Sequence, residues 1–424
     1  MSNMDVPAGS SRPRPTNLTH VVWEITLACD LSCKHCGSRA GKPRADELTT
    51  AEALDVVAQL AAMGTREVSL IGGEAYLRDD WHLIARAIHD AGMIASMVTG
   101  GRGFTPERAR QAREALIDSI SVSVDGLAPT HDLQRGLPGS FDAAVTAMKN
   151  LAAAGVAVSA NSQINRLSFP DLDALLDIFL DIGAHAWQLA LTVPMGRAAE
   201  RPDWLLQPED LLVVFPKLAE LSERGRRGGL RLFPGNNVGY FGPHEHQLRG
   251  RLAEETLGAH WEGCGAGNTT LGIEADGTIK GCPSLPTTAY AGGNVRDRSI
   301  RSIWDQTTQL AFTRAPRPAE LWGHCSTCYY AEVCQAGCSW TAHVFFGRRG
   351  NNPYCHHRSL EMRKRGLRER LVRVEPAPGQ PFDHGLFEIV VEPAGDIAAS
   401  TLPPGAAPWP APEIAPRRGR LPLL

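Results

Sequence analysis

The residues with the clearest capacity for chemistry lie in one short segment near the N-terminus. Cys29, Cys33 and Cys36 are separated by three and then two residues, and they directly follow the apolar run 21–27. Thiolates are soft ligands that suit iron–sulfur clusters and zinc. Three thiolates leave a 4Fe-4S cluster one iron short of full protein ligation. The spacing therefore predicts an iron that is open to a substrate or cofactor; a zinc loop with a distant fourth ligand, or three unrelated buried cysteines, is the alternative.

This spacing, placed after a first strand, resembles that of the radical S-adenosylmethionine (SAM) superfamily. The resemblance implies that the open iron of a 4Fe-4S cluster binds SAM through its amino and carboxylate groups. One electron, from a donor such as a flavodoxin or ferredoxin, would then cleave the sulfonium. The products would be methionine and a 5′-deoxyadenosyl radical that abstracts hydrogen from a substrate.

The segment Gly72-Gly73-Glu74 follows the second strand and matches the superfamily motif that holds the SAM amino group. Glycines let the backbone approach a ligand closely, and a carboxylate accepts hydrogen bonds from an ammonium group. The superfamily usually has proline next, whereas this chain has Ala75. A simple turn is the alternative interpretation of the segment.

Further SAM or substrate contacts are interpreted through the same resemblance. Ser123 matches a ribose contact, and Arg135 matches the arginine whose fork pairs with the SAM carboxylate. A serine in an ordinary turn and a surface arginine are the respective alternatives. Asn161 and Gln163 on the fifth strand could face the barrel interior. The segment 191–197, which begins at Leu191, resembles the one that packs on the adenine.

The seven other cysteines form a second pattern, whose spacings resemble those of SPASM domains with two auxiliary 4Fe-4S clusters. The residues that the resemblance assigns to the outer cluster are Cys325, Cys328, Cys334 and Cys355. Those that it assigns to the inner cluster are Cys264, Cys282 and Cys338. Together with the first segment these sets use all ten cysteines of the chain. Structural zinc is the alternative for the C-x2-C spacing.

The inner set has one ligand fewer than a fully ligated cluster needs. Some relatives carry an extra cysteine six residues after the first, and here that position is Thr270. The resemblance therefore implies either a ligand that is not cysteine or an open iron at the inner cluster. We hypothesise an open iron that faces the substrate.

Strand and helix patterns alternate six times between residues 20 and 227, which predicts a parallel sheet with helices outside. The strands are predicted at 21–27, 67–71, 94–98, 119–124, 156–164 and 185–191. The helices are predicted near 50–63, 79–91, 105–116, 140–154, 170–182 and 208–226. The cysteine segment and the later motifs fall at the carboxyl ends of strands, where functional groups gather. This arrangement resembles the partial (β/α)6 TIM-type barrel of radical SAM enzymes, followed by a small cysteine-rich SPASM domain.

The other segments complete the predicted organisation. Residues 1–19 are expected to be a disordered lead-in, 20–227 the barrel, 228–262 a glycine-rich bridge and 263–357 the SPASM domain. A basic amphipathic helix is predicted at 358–374, and a loosely ordered proline-rich tail at 375–424. Within the SPASM domain, Asp276-Gly277 predicts a hairpin between two short strands.

The composition is that of a soluble globular protein. The chain has 424 residues, of which 43% are apolar and 21% charged, and a net charge of −3. This charge gives no general attraction to nucleic acid or to an anionic membrane. The N-terminal residues lack the apolar core of a signal peptide, and no run is long enough to span a membrane. A cytoplasmic location is therefore expected, where ten cysteines argue for metal binding over disulfides.

Two enzymatic functions and one non-enzymatic function remain open. Many SPASM proteins modify ribosomally made peptides, so oxidative cross-linking or a related maturation of a peptide is the leading interpretation; a separate protein would then deliver the peptide, since the chain lacks an obvious leader-binding module. Modification of a small molecule such as a tetrapyrrole is the second, and an iron–sulfur electron carrier the third. Sulfatase maturation is disfavoured, because Pro283 stands where those relatives have an aspartate base. No catalytic base can be assigned; Asp125, Tyr76 and His35 qualify by location alone.

Overall fold

The computed structural model describes residues 17–249, 260–261, 263–315 and 318–395. Most of the predicted lead-in, and the tail beyond residue 395, lie outside these residues. The last two lead-in residues do pack on the fold: Leu18 is buried, and the Thr19 backbone amide donates to the Thr269 carbonyl (2.9 Å). Within the described residues, no helix has both the length and the apolar character required to cross a membrane.

Seven parallel strands form the barrel wall in chain order, with helices packed outside. The strands are β1 (His20–Glu24), β2 (Glu67–Ile71), β3 (Ile94–Thr99), β4 (Ser119–Ser123), β5 (Ala157–Ile164), β6 (Ala186–Leu191) and β7 (Arg231–Pro234). The helices are α1 (Thr50–Ala62), α2 (Trp81–Asp90), α3 (Pro106–Glu114), α4 (Ala128–Arg135), α5 (Ser140–Ala153), α6 (Leu172–Ile182) and α7 (Leu211–Arg227). The six predicted strands and their helices are confirmed.

The barrel differs from its prediction at two places. Strand β7 lies in the segment 228–262, which was expected to be only a bridge, and it pairs with β6. Helix α4 was not predicted, yet it places Arg135 at its last position before Gly136, whose φ of +70° ends the helix. Glycine adopts that left-handed conformation without the penalty that a Cβ would add.

The second domain extends the same sheet. Its strands are β8 (Thr270–Ile273), β9 (Thr278–Lys280) and β10 (Ala291–Asn294). Strand β8 pairs in parallel with β1, and β9 runs antiparallel to β8 through the predicted hairpin, where Gly277 has a φ of +87°. The strand order is therefore β10-β9-β8-β1-β2-β3-β4-β5-β6-β7. Because β8 runs parallel to β1, the hairpin that joins β8 to β9 lies at the same edge of the sheet as the first cysteine segment.

Short helices carry most of the remaining second domain. They are α8 (Glu245–Arg249), α9 (Thr287–Tyr290), α10 (Ile300–Gln306), α11 (Ala331–Cys334), α12 (Ser339–Phe346) and α13 (His356–Lys364). The prediction of one helix over 358–374 was wrong. The helix ends before Gly366 (φ +70°), and residues Leu367–Glu375 form strand β11. The alternation of basic and apolar residues in this segment is compatible with a strand as well as with a helical face.

The predicted loose tail is also corrected for residues 375–395. Strand β12 (Leu386–Pro393) pairs antiparallel with β11, and Phe387 is buried against Phe345, with ring centroids 5.3 Å apart. A buried ion pair joins the helix to the hairpin: the Arg358 guanidinium donates to both carboxylate oxygens of Glu369 at 2.6 and 2.7 Å. The segment therefore packs into the main hydrophobic core of the molecule through Leu371, Phe382 and Phe387.

Candidate active site

A cavity of about 330 Å³ lies at the carboxyl ends of the strands, and three parts of the chain form its walls. The barrel contributes residues from β1, β2, β4, β5 and the loop after β6. The second domain contributes the loop after β9 and Trp340, and the C-terminal segment contributes Phe382. The polar side chains that line the cavity are Glu24, His35, Ser38, Ser123, Asp125, Arg135, Asn161, Gln163, Thr192, Glu274, Lys280 and Ser284.

The segment with Cys29, Cys33 and Cys36 folds as a loop beside this cavity. Burial raises the pKa of the Cys29 thiol to about 12, and the neighbouring Glu74, Cys33 and Cys36 add to the shift. Three thiolates crowded in this way need a cationic partner, which fits the requirement of an iron–sulfur cluster. Arg197, which the sequence did not single out, donates to the carbonyls of Cys33 (3.0 Å) and Ala40 (2.7 Å) and fixes the loop.

The thiols are spaced too widely for a single zinc ion. Tetrahedral zinc with Zn–S distances near 2.3 Å would place its sulfur ligands about 3.8 Å apart. In the part of the chain that the structure describes, no three cysteine sulfurs lie within 4.8 Å of one another. The compact group of potential metal ligands among the described residues is instead Cys29 with Asp30 and Glu74.

Gly72 and Gly73 form a close backbone contact with the loop after β1. A Cβ on Gly72 would overlap the Thr26 carbonyl, and one on Gly73 would overlap the Ala28 carbonyl and the Cys29 side chain. Glu74 is buried next to Cys29 and accepts hydrogen bonds from Thr99 Oγ1 and the Gly100 amide, both at 2.6 Å. Burial raises the pKa of Glu74 to about 7. The glycines thus hold the cysteine loop and Glu74 together.

We expect a Gly73→Ala substitution to weaken SAM binding about tenfold, roughly 1.4 kcal/mol, because the new Cβ would displace the cysteine loop. Isothermal titration of reconstituted protein with SAM would measure the change. Gly41→Ala is the matched control, since a Cβ at Gly41 meets nothing within 4 Å. Equal SAM affinity in both variants would contradict the expectation.

A buried ion network links the cysteine loop to β4 and α4. Asp125 is fully buried, and its Oδ2 lies 3.1 Å from His35 Nε2 and 2.6 Å from Arg135 Nη2. Although burial alone would raise the pKa of Asp125, the charges of Arg135 and His35 hold it well below its usual range. Arg135 Nη1 also lies 3.7 Å from Cys33 Sγ. The arginine predicted to meet the SAM carboxylate therefore lies at the cluster loop and already has a carboxylate partner within the protein.

The other predicted SAM contacts differ in their placement. Ser123, Asn161 and Gln163 line the cavity, and Asn161 Oδ1 is buried without a hydrogen-bond partner among the described residues. Such an orphan acceptor fits a ligand that carries hydroxyl or amino groups. Leu191 is buried, and its backbone bonds to the side chain of Asn237 at 3.1 and 2.5 Å. The residues of the same segment that line the cavity are Thr192, Val193 and Met195.

The cysteines of the second domain lie in two separate groups. Burial raises the pKa values of Cys282 to about 11 and of Cys338 to about 12, and both thiols interact electrostatically with Cys264. Cys355 also has a pKa of about 12 through burial, but it interacts with Cys325 and Cys328. The four thiols of this second group line one small cavity: Cys325, Cys328, Cys334 and Cys355. The two groups have the same members as the sets that the resemblance implied, and their role as cluster ligands stays a prediction.

A buried lysine of β9, also missed from the sequence, lies in the wall of the cavity that the second domain forms. Lys280 has no exposed side-chain area, and its Nζ lies 2.7 Å from Glu274 Oε1 and donates to the Leu285 carbonyl (2.9 Å). Its ammonium also lies 3.9 Å from the ring centroid of Phe382. A charge buried this deeply needs such partners, so Lys280 ties the loop after β9 to its surroundings.

Comparisons with known proteins agree with this architecture. The family model of the radical SAM superfamily matches residues 23–171, and that of an iron–sulfur cluster-binding domain, SPASM, matches residues 264–329. Among solved structures, anSMEcpe with bound AdoMet superposes with a TM-score of 0.63 at 16% identity, covering 81% of this chain and 95% of that one. SuiB of Streptococcus suis bound to its precursor peptide SuiA gives 0.62 at 15% identity, with 81% and 75% coverage. These likenesses show the fold.

Two curated relatives are closer in sequence. The AdoMet-dependent heme synthase of Methanosarcina barkeri is 30% identical over 80% of this chain and 96% of its own length. The mycofactocin maturase MftC of Mycobacterium tuberculosis is 31% identical over 79% of this chain and 82% of its own length. With the cysteine loop, the partial barrel and the cysteine-rich second domain in place, the chain belongs to the radical SAM superfamily and is an iron–sulfur enzyme of the SPASM type.

Proposed function

We propose that this enzyme acts on a ribosomally made peptide and joins or desaturates its side chains by oxidation. Cys29, Cys33 and Cys36 would hold the SAM-binding cluster, Cys264, Cys282 and Cys338 the inner auxiliary cluster, and the group of four the outer one. When bound, the clusters and SAM supply one-electron cleavage of SAM and removal of hydrogen from the substrate. The cavity is lined by His35 and Gly37, which flank Cys36, and by Pro283 and Ser284, which follow Cys282, so a side chain placed there would be near both sets.

The observation that carries the peptide proposal is the charge balance of the cavity. The cationic groups among its described lining residues already have carboxylate partners: His35 and Arg135 pair with Asp125, and Lys280 pairs with Glu274. A tetrapyrrole precursor carries several carboxylate side chains, each of which needs a cation when it is buried. The apolar remainder of the lining suits an uncharged amino-acid side chain instead.

The protein's own residues would position the reacting side chain and exclude water. Apolar residues from the three walls surround the cavity: Val22, Ile71, Val193, Met195, Ile273, Pro283, Trp340 and Phe382. Orientation of a substrate beside its reactive group accounts for a large part of enzymatic rate enhancement. The apolar part of this lining would also help to protect a reactive intermediate from side reactions.

The inner cluster is proposed to keep an open iron. The side chains that interact most strongly with the thiols of Cys282 and Cys338 include, besides other cysteines, Lys280 and Thr341. Lysine and threonine are not the ligands that iron–sulfur clusters commonly use. Spectroscopy of the reconstituted protein that revealed an oxygen or imidazole ligand at this cluster would contradict this part of the proposal.

Modification of a tetrapyrrole is the second candidate, and the similarity to a heme synthase over nearly the whole of that relative favours it. The two candidates predict different binding behaviour. A tetrapyrrole enzyme should bind a propionate-bearing tetrapyrrole with micromolar affinity, whereas the paired cations of this cavity predict no such binding. Absorbance titration of the reconstituted enzyme separates the two.

The direct test is mass spectrometry of a candidate peptide that is co-expressed with the enzyme. Short reading frames beside the gene supply the candidates. We expect a loss of about 2 Da, the mass of two hydrogens, for each bond that is formed by oxidation. A peptide that stays unmodified with an enzyme that cleaves SAM, together with conversion of a tetrapyrrole, would overturn the peptide proposal.

A further inference from the structure

One wall of the cavity comes from a part of the chain that neither family model matches. The segment Gly379–Gly385, here called the closing loop, connects β11 to β12 and reaches back to the barrel. Phe382 lies at its centre, with only 9% of its area exposed, and its side chain lines the cavity. The closing loop thus contributes directly to the space in which a substrate would react.

The closing loop is fastened to the cysteine loop through Asp383. The Arg39 Nε donates to Asp383 Oδ1 at 3.1 Å, and Arg39 lies three residues after Cys36. The Asp383 carboxylate also accepts from the amides of Gly379 and Gln380, so it holds the turn of the loop itself. On the other side, the Gly196 amide donates to the Asp383 carbonyl at 2.8 Å. These contacts join the closing loop to the cysteine loop and to the loop that follows β6.

The backbone of Phe382 is held in a conformation that a bulky residue rarely adopts. Its φ is +58°, in the left-handed region that favours glycine. Such conformations persist where surrounding contacts fix them, and they concentrate at functional sites. Here the Phe382 amide donates to the Gly37 carbonyl at 3.0 Å, next to the cluster loop. The strained conformation is what directs the Phe382 ring into the cavity.

The ring faces the second domain and not the strands that carry the predicted SAM contacts. It covers the Lys280 ammonium at 3.9 Å, and Lys280 lies on β9 close to Pro283 and Ser284. Ser123 and Asn161 belong instead to β4 and β5. A group that contacts Phe382 is therefore on the side of the cavity that the second domain forms.

We propose that Phe382 is a specificity-determining residue that limits the size of the substrate side chain admitted to the cavity, and that this side chain is uncharged and apolar. The inference rests on the proposed peptide function and adds the class of residue that reacts. The Phe382 ring lines the cavity beside Lys280, so its removal would enlarge the space that is open to a substrate side chain. Hydrophobic pockets discriminate by size to about 10–200-fold for each methylene-sized difference.

The test measures binding and does not depend on turnover. Reconstituted enzyme with SAM is titrated with N-acetylvalinamide and N-acetyltryptophanamide, and ligand-observed NMR gives the ratio of their dissociation constants. The wild type is expected to bind the valine derivative in preference to the tryptophan derivative. In Phe382→Ala the ratio should shift about tenfold toward the tryptophan derivative, and in Phe382→Leu it should shift in the same direction. Phe387→Leu is the matched control, because Phe387 packs on Phe345 outside the cavity.

The outcomes separate this inference from the peptide function. A shifted ratio in both Phe382 variants, with the control unchanged, supports the inference even if no co-expressed peptide is modified. A ratio within twofold of the control overturns it, even if the wild type modifies a peptide. Wild-type protein that binds neither probe, or binds N-acetylaspartamide better than both, also overturns it. If Phe382→Ala does not fold, the comparison of Phe382→Leu with the control Phe387→Leu tests the inference.

Discussion

Simultaneous replacement of Cys29, Cys33 and Cys36 by alanine is expected to abolish reductive cleavage of SAM. The three thiols lie beside the cavity, and Arg197, Gly73 and Arg135 hold their loop in place. A 4Fe-4S cluster without its protein ligands is not retained, and SAM then has no iron to bind. We expect 5′-deoxyadenosine formation to fall to the level of a reaction without protein, measured by anaerobic reconstitution with a strong reductant and chromatography.

Iron content makes this expectation specific. The triple variant should lose about four irons for each chain while it keeps those of the second domain, because the inner and outer cysteine groups are spatially separate from the loop. Lys34→Ala, in the same loop, is the control and should retain both iron and activity; its backbone amide, not its side chain, bonds to the Gln134 carbonyl. Cleavage of SAM by the triple variant, or zinc in the native loop, would contradict the proposal that these three cysteines hold the SAM-binding cluster.

Substitution of Asp125 by alanine is expected to destabilise the barrel by about 3–5 kcal/mol, the range for a buried ion pair that loses one partner. Asp125 is fully buried between Arg135 and His35, and its Oδ1 accepts from the Gln163 amide at 2.8 Å. Without the carboxylate, the Arg135 guanidinium would be enclosed without its acidic partner, and an amide of β5 would lose its acceptor. The cysteine loop should lose order as a result.

Urea-induced unfolding of the reconstituted protein measures this effect, and iron retention reports the order of the loop. Asp90→Ala is the control, since the Arg86–Asp90 pair is more than half exposed and such pairs contribute little. A double change, Asp125→Asn with Arg135→Gln, should cost less than Asp125→Ala, because it leaves no buried charge behind. Similar stability of Asp125→Ala and Asp90→Ala would show that the network carries no such role.

The sequence predicts the barrel well because buried parallel strands are short apolar runs between amphipathic helices. The sequence did not predict strand β7, because the strand has only four residues and is bounded by Arg231 and Pro234. The sequence did not predict strand β11 either. Its arginines and glutamates mask the alternation of apolar and charged residues, which becomes evident only when β12 pairs with it. In both cases the partner strand, and not local preference, decides the structure.

The same distinction separates the site residues that the sequence indicates from those that it does not. The ten cysteines could be selected from the sequence because their spacing indicates metal binding. Arg197 and Phe382 were not, since their contacts join positions more than 150 residues apart in the chain, such as Arg197 with Cys33 and Phe382 with Gly37. Arg135 was identified, but its pairing with Asp125 follows from how α4 folds back over β4. Sequence spacing identifies ligands, whereas the residues that orient them depend on tertiary structure.

The parallel pairing of β8 with β1 has a consequence for how the enzyme can be divided. A fragment that ends before residue 263 would leave the amides and carbonyls of β1 exposed along an apolar sheet margin, with Val21 and Trp23 beside it. Such a margin recruits other chains. The barrel fragment should therefore precipitate or form mixed oligomers. The barrel and the second domain should be stable only when they are expressed as one chain.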